Sequence, residues 1–200
     1  MVILINGGPQ RNRLGSSQYV GRLVSPRCGN RIRPGETWAA DNDAFLAWDE
    51  QRFVDMLVRI EGIPGCVFVA APDVVADARA TMDRFWDWRI EIVGRGLPVA
   101  LVAQDGLEDM DIPWIAFDAL FLGGTTEWKL SASSANLARE AKYRGKWLHV
   151  GRVNTRRRLR QAYDIGADSI DGTGWSRFPD HYLRTMIPFV RSLHAQQLLL

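Results

Sequence analysis

Cysteine, lysine and long apolar runs are all scarce in this chain. Its 200 residues hold two cysteines, Cys28 and Cys66, placed 38 positions apart and in no Cys-x-x-Cys arrangement. That spacing speaks against a structural zinc site. Both are expected as reduced thiols of a cytosolic protein, since a chain of this length buries roughly 70% of its unfolded surface and needs no covalent staple. No apolar run approaches the ~18–20 residues of a membrane-crossing helix. The opening Met1-Val2-Ile3-Leu4-Ile5-Asn6 lacks a basic stretch and is too short in its apolar part for a secretory signal, so none is expected. No His-x-His or clustered His/Asp set marks a metal-dependent hydrolase. No Gly-x-Gly-x-x-Gly follows the first apolar run, which argues against a dinucleotide site. Repeats, low-complexity tracts and linkers are absent, so a single domain over residues 1–200 is expected. At 46% hydrophobic and 24% charged residues, the chain is neither disordered nor collagen-like.

What is abundant is arginine, at 22 of the 25 cations. The formal net charge of +2 conceals three blocks: +5 over residues 1–40, −11 over 41–128 and +8 over 129–200. Arginine forks onto phosphate and stacks on bases, so the bias favours a nucleic-acid partner. GC-rich codon usage is the alternative source of the same bias.

Short runs rich in Val, Ile, Leu, Ala and aromatics predict strands at residues 2–5, 20–24, 37–40, 66–70, 98–103, 119–122, 147–150 and 169–171. Helical spacing links Phe45, Trp48, Phe53, Leu57 and Ile60, and again Val74, Ala78, Met82, Phe85 and Val93. Further helices are predicted over 133–144, with Ser133 or Ser134 as N-cap, over 155–165 and over 180–193. Gly96, Gly145 and Gly166 fall where helix ends want a left-handed residue. From residue 41 onward the rhythm is strand, helix, strand. The expected fold is α/β, a compact (β/α)8 TIM-like barrel, with a doubly wound open sheet as the alternative.

A parallel barrel keeps its chemistry at the C-terminal ends of its strands. Those positions read Asp41-Asn42-Asp43, Pro72-Asp73, Gln104-Asp105-Gly106, Gly123-Gly124-Thr125-Thr126-Glu127, Gly151-Arg152-Val153-Asn154 and Asp171-Gly172-Thr173. A lone acid after a strand is most often a helix N-cap, and Asp43 and Asp77 are read so. Asp41, Asp73 and Asp171 converge on one end together with Gln104 and two glycines. Two carboxylates on one pocket suit glycosidic chemistry, one as nucleophile and one as acid/base. Gln104 offers a donor and an acceptor in one plane, and Asp73 suits an N–H/NH₂ edge such as that of guanine. Gly123-Gly124 would let a flat ring approach the backbone.

In their order, Asp-x-x-x-Phe, Ala-Pro-Asp, Val-x-Gln-x-Gly, Leu-Gly-Gly, Gly-Arg-Val-Asn and Gly-Ala-Asp-Ser-Ile-Asp-Gly resemble the tRNA-guanine transglycosylase superfamily. The nearest likeness is to its phage DNA branch, the deoxypurine-in-DNA protein A family. The stretches 121–130 and 149–154 are typical of that branch, and the resemblance runs from about Trp38 to Thr173. It implies exchange of guanine in DNA for a 7-deazaguanine such as 7-cyano-7-deazaguanine, through a covalent aspartyl–sugar intermediate. It implies Asp171 as nucleophile, Asp41 as general acid/base, and Asp73, Gln104, Gly123 and Gly124 around the base. The partners implied are DNA and the free 7-deazapurine co-substrate, with no other cofactor. Homodimers are frequent among the tRNA enzymes, but no diagnostic interface is visible here. This chain departs from the family in reading Asn42-Asp43-Ala44 for Ser-Gly-Gly, which makes Asp43 a rival to Asp41. It also lacks the Cys-x-Cys-x₂-Cys…His zinc site, and no additional RNA-binding domain is expected. Activity on tRNA, release of the base to water and non-catalytic binding of modified bases are the alternatives.

Lys129, Arg152, Arg156, Arg157 and Arg158 are candidates for phosphate contact, as are Arg11, Arg13, Arg27, Arg31 and Arg33. Glu127 and Lys129 are read equally as a structural ion pair or as groups orienting the nucleophile. His149, inside an apolar run, is read as a satisfied core residue. Trp175 is the tryptophan expected to stack on a base.

Overall fold

The short apolar runs form eight parallel strands that close into a barrel in sequence order. These are β1 (Val2–Asn6), β2 (Val20–Val24), β3 (Trp38–Ala40), β4 (Cys66–Ala70), β5 (Val99–Ala103), β6 (Ala119–Leu122), β7 (Trp147–Val150) and β8 (Ser169–Asp171). Closure comes from β8 pairing with β1, where Leu4 lies opposite Asp171. This is a computed structural model, and it describes residues 1–6, 19–28 and 30–197. The candidates Arg11 and Arg13 lie outside the described residues.

Helices of the outer ring follow the later strands. They are α1 (Glu50–Ile60), α2 (Ala78–Gly94), α3 (Thr126–Lys129), α4 (Ala132–Tyr143), α5 (Arg156–Asp164), α6 (Thr173–Arg177), α7 (Pro179–Thr185) and α8 (Ile187–Gln197). Side-chain caps set several starts: Asp49 accepts from the Arg52 amide, Asp77 from Ala80, Ser131 from Ser134 and Thr155 from Arg158. The cap of α4 is therefore Ser131, not Ser133 or Ser134. Residues 45–49 stay out of α1 because Asp49 begins it. The helix predicted over 180–193 is two helices that break at Met186, just before Pro188, which has no amide to continue the ladder. Among the described residues, no helix is long and apolar enough to cross a membrane. Cys28 and Cys66 are free thiols.

Alternation along each strand divides the core in two. Outward-facing Ile3, Leu101, Leu120, Leu148 and Ile170 pack beneath the helices with Phe53, Phe85 and Leu159. Inward-facing Leu4, Leu23, Ala39, Phe68, Ala70, Ala100, Val102, Ala119 and Phe121 fill the barrel. The inner set is rich in alanine, so the narrow lumen holds few large rings. Two steps beyond Ala39, Val102, Phe121 and Ser169 stand Asp41, Gln104, Gly123 and Asp171. The period of two that buries the lumen thus carries these residues to its mouth, facing inward.

Candidate active site

A cavity of about 580 Å³ opens at the C-terminal end of the barrel. Asp41, Asp73, Gln104, Gly123, Arg152, Arg158 and Asp171 all line it, along with Asn42, Asp43 and the exposed side chains of Phe45, Leu46 and Val75.

Asp171 ends β8. Its Oδ1 accepts the Arg152 amide at 2.6 Å, and its Oδ2 lies 3.4 Å from His149 Nε2. Burial pushes its carboxyl upward, but the His149 hydrogen bond, the Arg152 amide and the Lys129 ammonium outweigh this and hold it below the usual carboxylate range. Asp41 has the opposite environment. Burial first, then the charges of Asp171, Asp43 and Asp73, push its carboxyl up to about 8, against a single opposing hydrogen bond from the Asn42 amide. One carboxyl is kept ionised and its neighbour is kept protonated.

Asp43 is not the N-cap expected of it. It sits at φ 58°, and its Oδ2 accepts the Arg27 amide at 2.9 Å, with the Arg27 guanidinium 3.8 Å away. It is tied in this way to the loop after β2.

Asp73 is braced on both oxygens. Asn42 Nδ2 donates to Oδ1 at 2.8 Å and Gln104 Nε2 to Oδ2 at 2.6 Å. Asn42 also donates to the Ala71 carbonyl and accepts the Ala44 amide. Gln104 Oε1 accepts the Ala76 amide at 2.9 Å, which fixes which end of the amide is which and leaves one Nε2 hydrogen for a ligand. Burial pushes the Asp73 carboxyl up, while these amides and Arg84 pull it down.

Among the described residues, three other than glycine have left-handed backbones: Asp43 (φ 58°), Ala76 (φ 62°) and Arg152 (φ 63°). All three lie in loops at the cavity end. Each such residue costs about 1–2 kcal/mol. Ala76 and Arg152 use the conformation to aim an amide at Gln104 and Asp171, so local strain is spent on orienting site groups.

Other candidates are placed differently. Gly123 lines the cavity, and a Cβ there would stand 2.6 Å from Val102 and 2.9 Å from Gln104 Nε2. Gly124 does not line it: a Cβ there would strike the Trp128 ring at 2.5 Å, so its smallness serves packing. Arg152 lies across the mouth, with its guanidinium 4.9 Å from the Phe45 ring and donating to the carbonyls of Gly123 and Gly124. Arg158 lines the cavity too and donates to the Arg152 carbonyl and to Thr126. Lys129 is buried on the Gly151 carbonyl at 2.9 Å, beneath the loop and out of reach of a surface phosphate; burial and Arg152 bring its ammonium down to about 7. Arg156 turns away, onto the Thr185 carbonyl and the Phe189 ring. Arg157 and Glu127 are exposed outside the cavity. Arg27 is engaged with Asp43 and the Ala47 carbonyl, while Arg31 and Arg33 are exposed. Trp175 is fully buried against Tyr182, its Nε1 donating to the Val153 carbonyl, so it is a core residue and not a stacking platform.

Sequence reasoning passed over Asn42 and treated His149 as core only. His149 is indeed wholly buried, yet it reaches Asp171. The available signal was parity: His149 and Ser169 both face the lumen, one pair of positions below the mouth. Among the described residues, no group of three or more His, Cys, Asp or Glu side chains is placed to hold a metal ion. No protein-family model matches the chain, and no curated protein matches it.

Proposed function

We propose that this protein is a transglycosylase that exchanges guanine in DNA for a 7-deazaguanine base. The observation that carries this reading is the pair of carboxyl groups on one cavity with opposed protonation, Asp171 held low and Asp41 pushed to about 8. Such divergence is how a site assigns a nucleophile and an acid from two like side chains. The resemblance to the guanine transglycosylases supplies the choice of base and polymer.

In this mechanism the target nucleotide leaves the stack, at a cost of a few kcal/mol, and its base enters between Phe45 and the Asp73 group. The Asp73 carboxylate accepts from an N–H/NH₂ edge, and Gln104 gives its remaining hydrogen to a carbonyl beside that edge. Asp171 attacks C1′ of the sugar, the C1′–N9 bond breaks, and Asp41 protonates the departing guanine. The charge of Asp171 is consumed in the resulting ester. That removes one of the repulsions raising the Asp41 carboxyl, so Asp41 becomes more stable as the carboxylate that the second step requires. It then takes the N9 proton of the incoming 7-deazapurine as N9 attacks C1′ and releases Asp171. Arg152 and Arg158 at the rim, with exposed Arg157 beyond it, suit the flanking phosphates.

The test is to incubate the protein with guanine-containing duplex DNA and 7-cyano-7-deazaguanine, with tRNA in parallel, and to analyse nucleosides by mass spectrometry. The expected result is deazapurine in DNA, absent from tRNA and lost in Asp171→Ala. Incorporation into tRNA would reassign the polymer, and release of guanine without incorporation would make the protein a base-releasing glycosidase.

A further inference from the structure

Beneath the mouth, three side chains that the mechanism above does not use form a hydrogen-bonded line ending at Asp171. Trp147 Nε1 lies 2.8 Å from Ser169 Oγ, Ser169 Oγ lies 2.8 Å from His149 Nδ1, and His149 Nε2 lies 3.4 Å from Asp171 Oδ2. Strand register builds the line. His149 is opposite Ser169 in the β7–β8 ladder, and Trp147 and Asp171 are the next inward-facing positions on those two strands.

The direction of the hydrogen bonds follows from the donors present. The indole nitrogen of Trp147 has only a hydrogen to give, so Ser169 Oγ accepts it. Ser169 and His149 are both fully buried, and among the described residues the other hydrogen-bond partner of the Ser169 hydroxyl is His149 Nδ1. A buried hydroxyl hydrogen needs an acceptor. The hydroxyl therefore donates to Nδ1, which places the imidazole hydrogen on Nε2, facing Asp171. The ring is kept from turning by Phe68 and Phe121, whose centroids lie 5.0 Å and 4.4 Å away.

We infer that His149 is a positioning residue for Asp171, locked by Trp147 and Ser169 as the tautomer that donates from Nε2 to the carboxylate. This rests on the proposed role of Asp171 as nucleophile. The Arg152 amide holds Oδ1 closely, whereas the longer contact from His149 orients Oδ2 without tying up its lone pairs. Oδ2 is then the oxygen that attacks C1′. In the ester the negative charge is gone, and the His149 hydrogen stays available to the carboxylate when the ester breaks.

Two measurements test this on the full chain. ¹⁵N-histidine NMR of the free protein, with His149 assigned by its loss in His149→Gln, should show a protonated Nε2 and an unprotonated Nδ1. In Ser169→Ala the ring should become a mixture of tautomers. The ¹³C signal of the Asp171 carboxyl should titrate at a higher pH in His149→Leu than in the unaltered protein. In the exchange assay, His149→Leu should lower kcat by about tenfold to a hundredfold, the usual worth of a hydrogen bond to a charged group, with KM changed by less than about threefold. His149→Gln, whose amide can still donate, should recover part of the loss. A hydrogen on Nδ1 in the unaltered protein, or an Asp171 titration that ignores His149→Leu, overturns the inference. So does a kcat unaffected in a folded His149→Leu. Failure of the unaltered protein to exchange or release any base would instead overturn the proposed function, while the NMR measurements would still decide the hydrogen-bonded line.

Discussion

The amide of Arg152 donates to Asp171 Oδ1 at 2.6 Å from a left-handed backbone. The same residue places its guanidinium over Phe45 at the cavity mouth. One position thus serves the site through its main chain and its side chain, and the two contributions can be separated. Arg152→Gly keeps the amide and relieves the backbone, whereas Arg152→Ala keeps the strain. Both lose the guanidinium. The glycine variant should be more stable than the alanine variant by about 1 kcal/mol, read from denaturant midpoints. Both should show the same weakened binding of DNA.

Asp41 makes stability depend on pH in a definite direction. Its carboxyl lies at about 8 in the folded chain against 3.8 without the fold. Between those values the folded protein holds a proton that the unfolded chain lacks, so this group lowers stability as pH rises through that window. Asp41→Asn removes the effect. The melting temperature of the variant should gain on that of the unaltered protein as pH rises from about 4 to 8, and the gap should then stay constant. In single-turnover experiments, formation of the covalent adduct should fall above pH of about 8, by about tenfold per unit, as Asp41 loses its proton.

The two adjacent glycines should behave differently when each is given a methyl group. Gly123→Ala pushes on Gln104 Nε2 and Val102 inside the cavity, so KM for the free base should rise with modest loss of stability. Gly124→Ala meets the face of Trp128, a buried ring anchored on Glu108, which has nowhere to move. It should lower stability by about 1–3 kcal/mol and leave KM nearly unchanged in the folded fraction. Thermal melts and base-exchange kinetics on the same samples would separate the two.

Asn42→Ala should damage both fold and site. It leaves the Ala71 carbonyl and the Ala44 amide without their partner and removes one of two donors to Asp73. A loss of about 1–3 kcal/mol is expected for the buried groups left unsatisfied. With that donor gone, burial pushes the Asp73 carboxyl further up, so base binding should weaken more at lower pH than at higher pH. Calorimetric titration with the free deazapurine would measure it.

Strand positions were readable because eight apolar runs each match a buried strand to within a residue or so. The closed order follows from their parallel pairing. The convergence of Asp41, Gln104, Gly123 and Asp171 was readable too, since a period of two carries inward parity past each strand end. What escaped was set by contacts between distant segments. Asp43 looks like a cap until the loop carrying Arg27 folds over it. Lys129 looks like a surface cation until the short helix α3 turns it onto the Gly151 carbonyl. Trp175 looks like an exposed loop aromatic until α7 brings Tyr182 against it. Asn42 carries no periodic signal at all, and only the neighbouring ends of β3 and β4 give it its partners.

Closing β8 onto β1 also changes how the charges of the chain are arrayed in space. Among the described residues, the basic first block (Arg22, Arg27, Arg31 and Arg33 against Glu36) and the basic last block, far apart in the sequence, become adjacent around the barrel, and the acidic middle block occupies the facing arc. Three blocks on a line become two halves of a ring. The formal charge of the described residues is therefore uneven around the circumference of the barrel. For the DNA substrate proposed above, this asymmetry would favour an approach from the flank of β7, β8, β1 and β2.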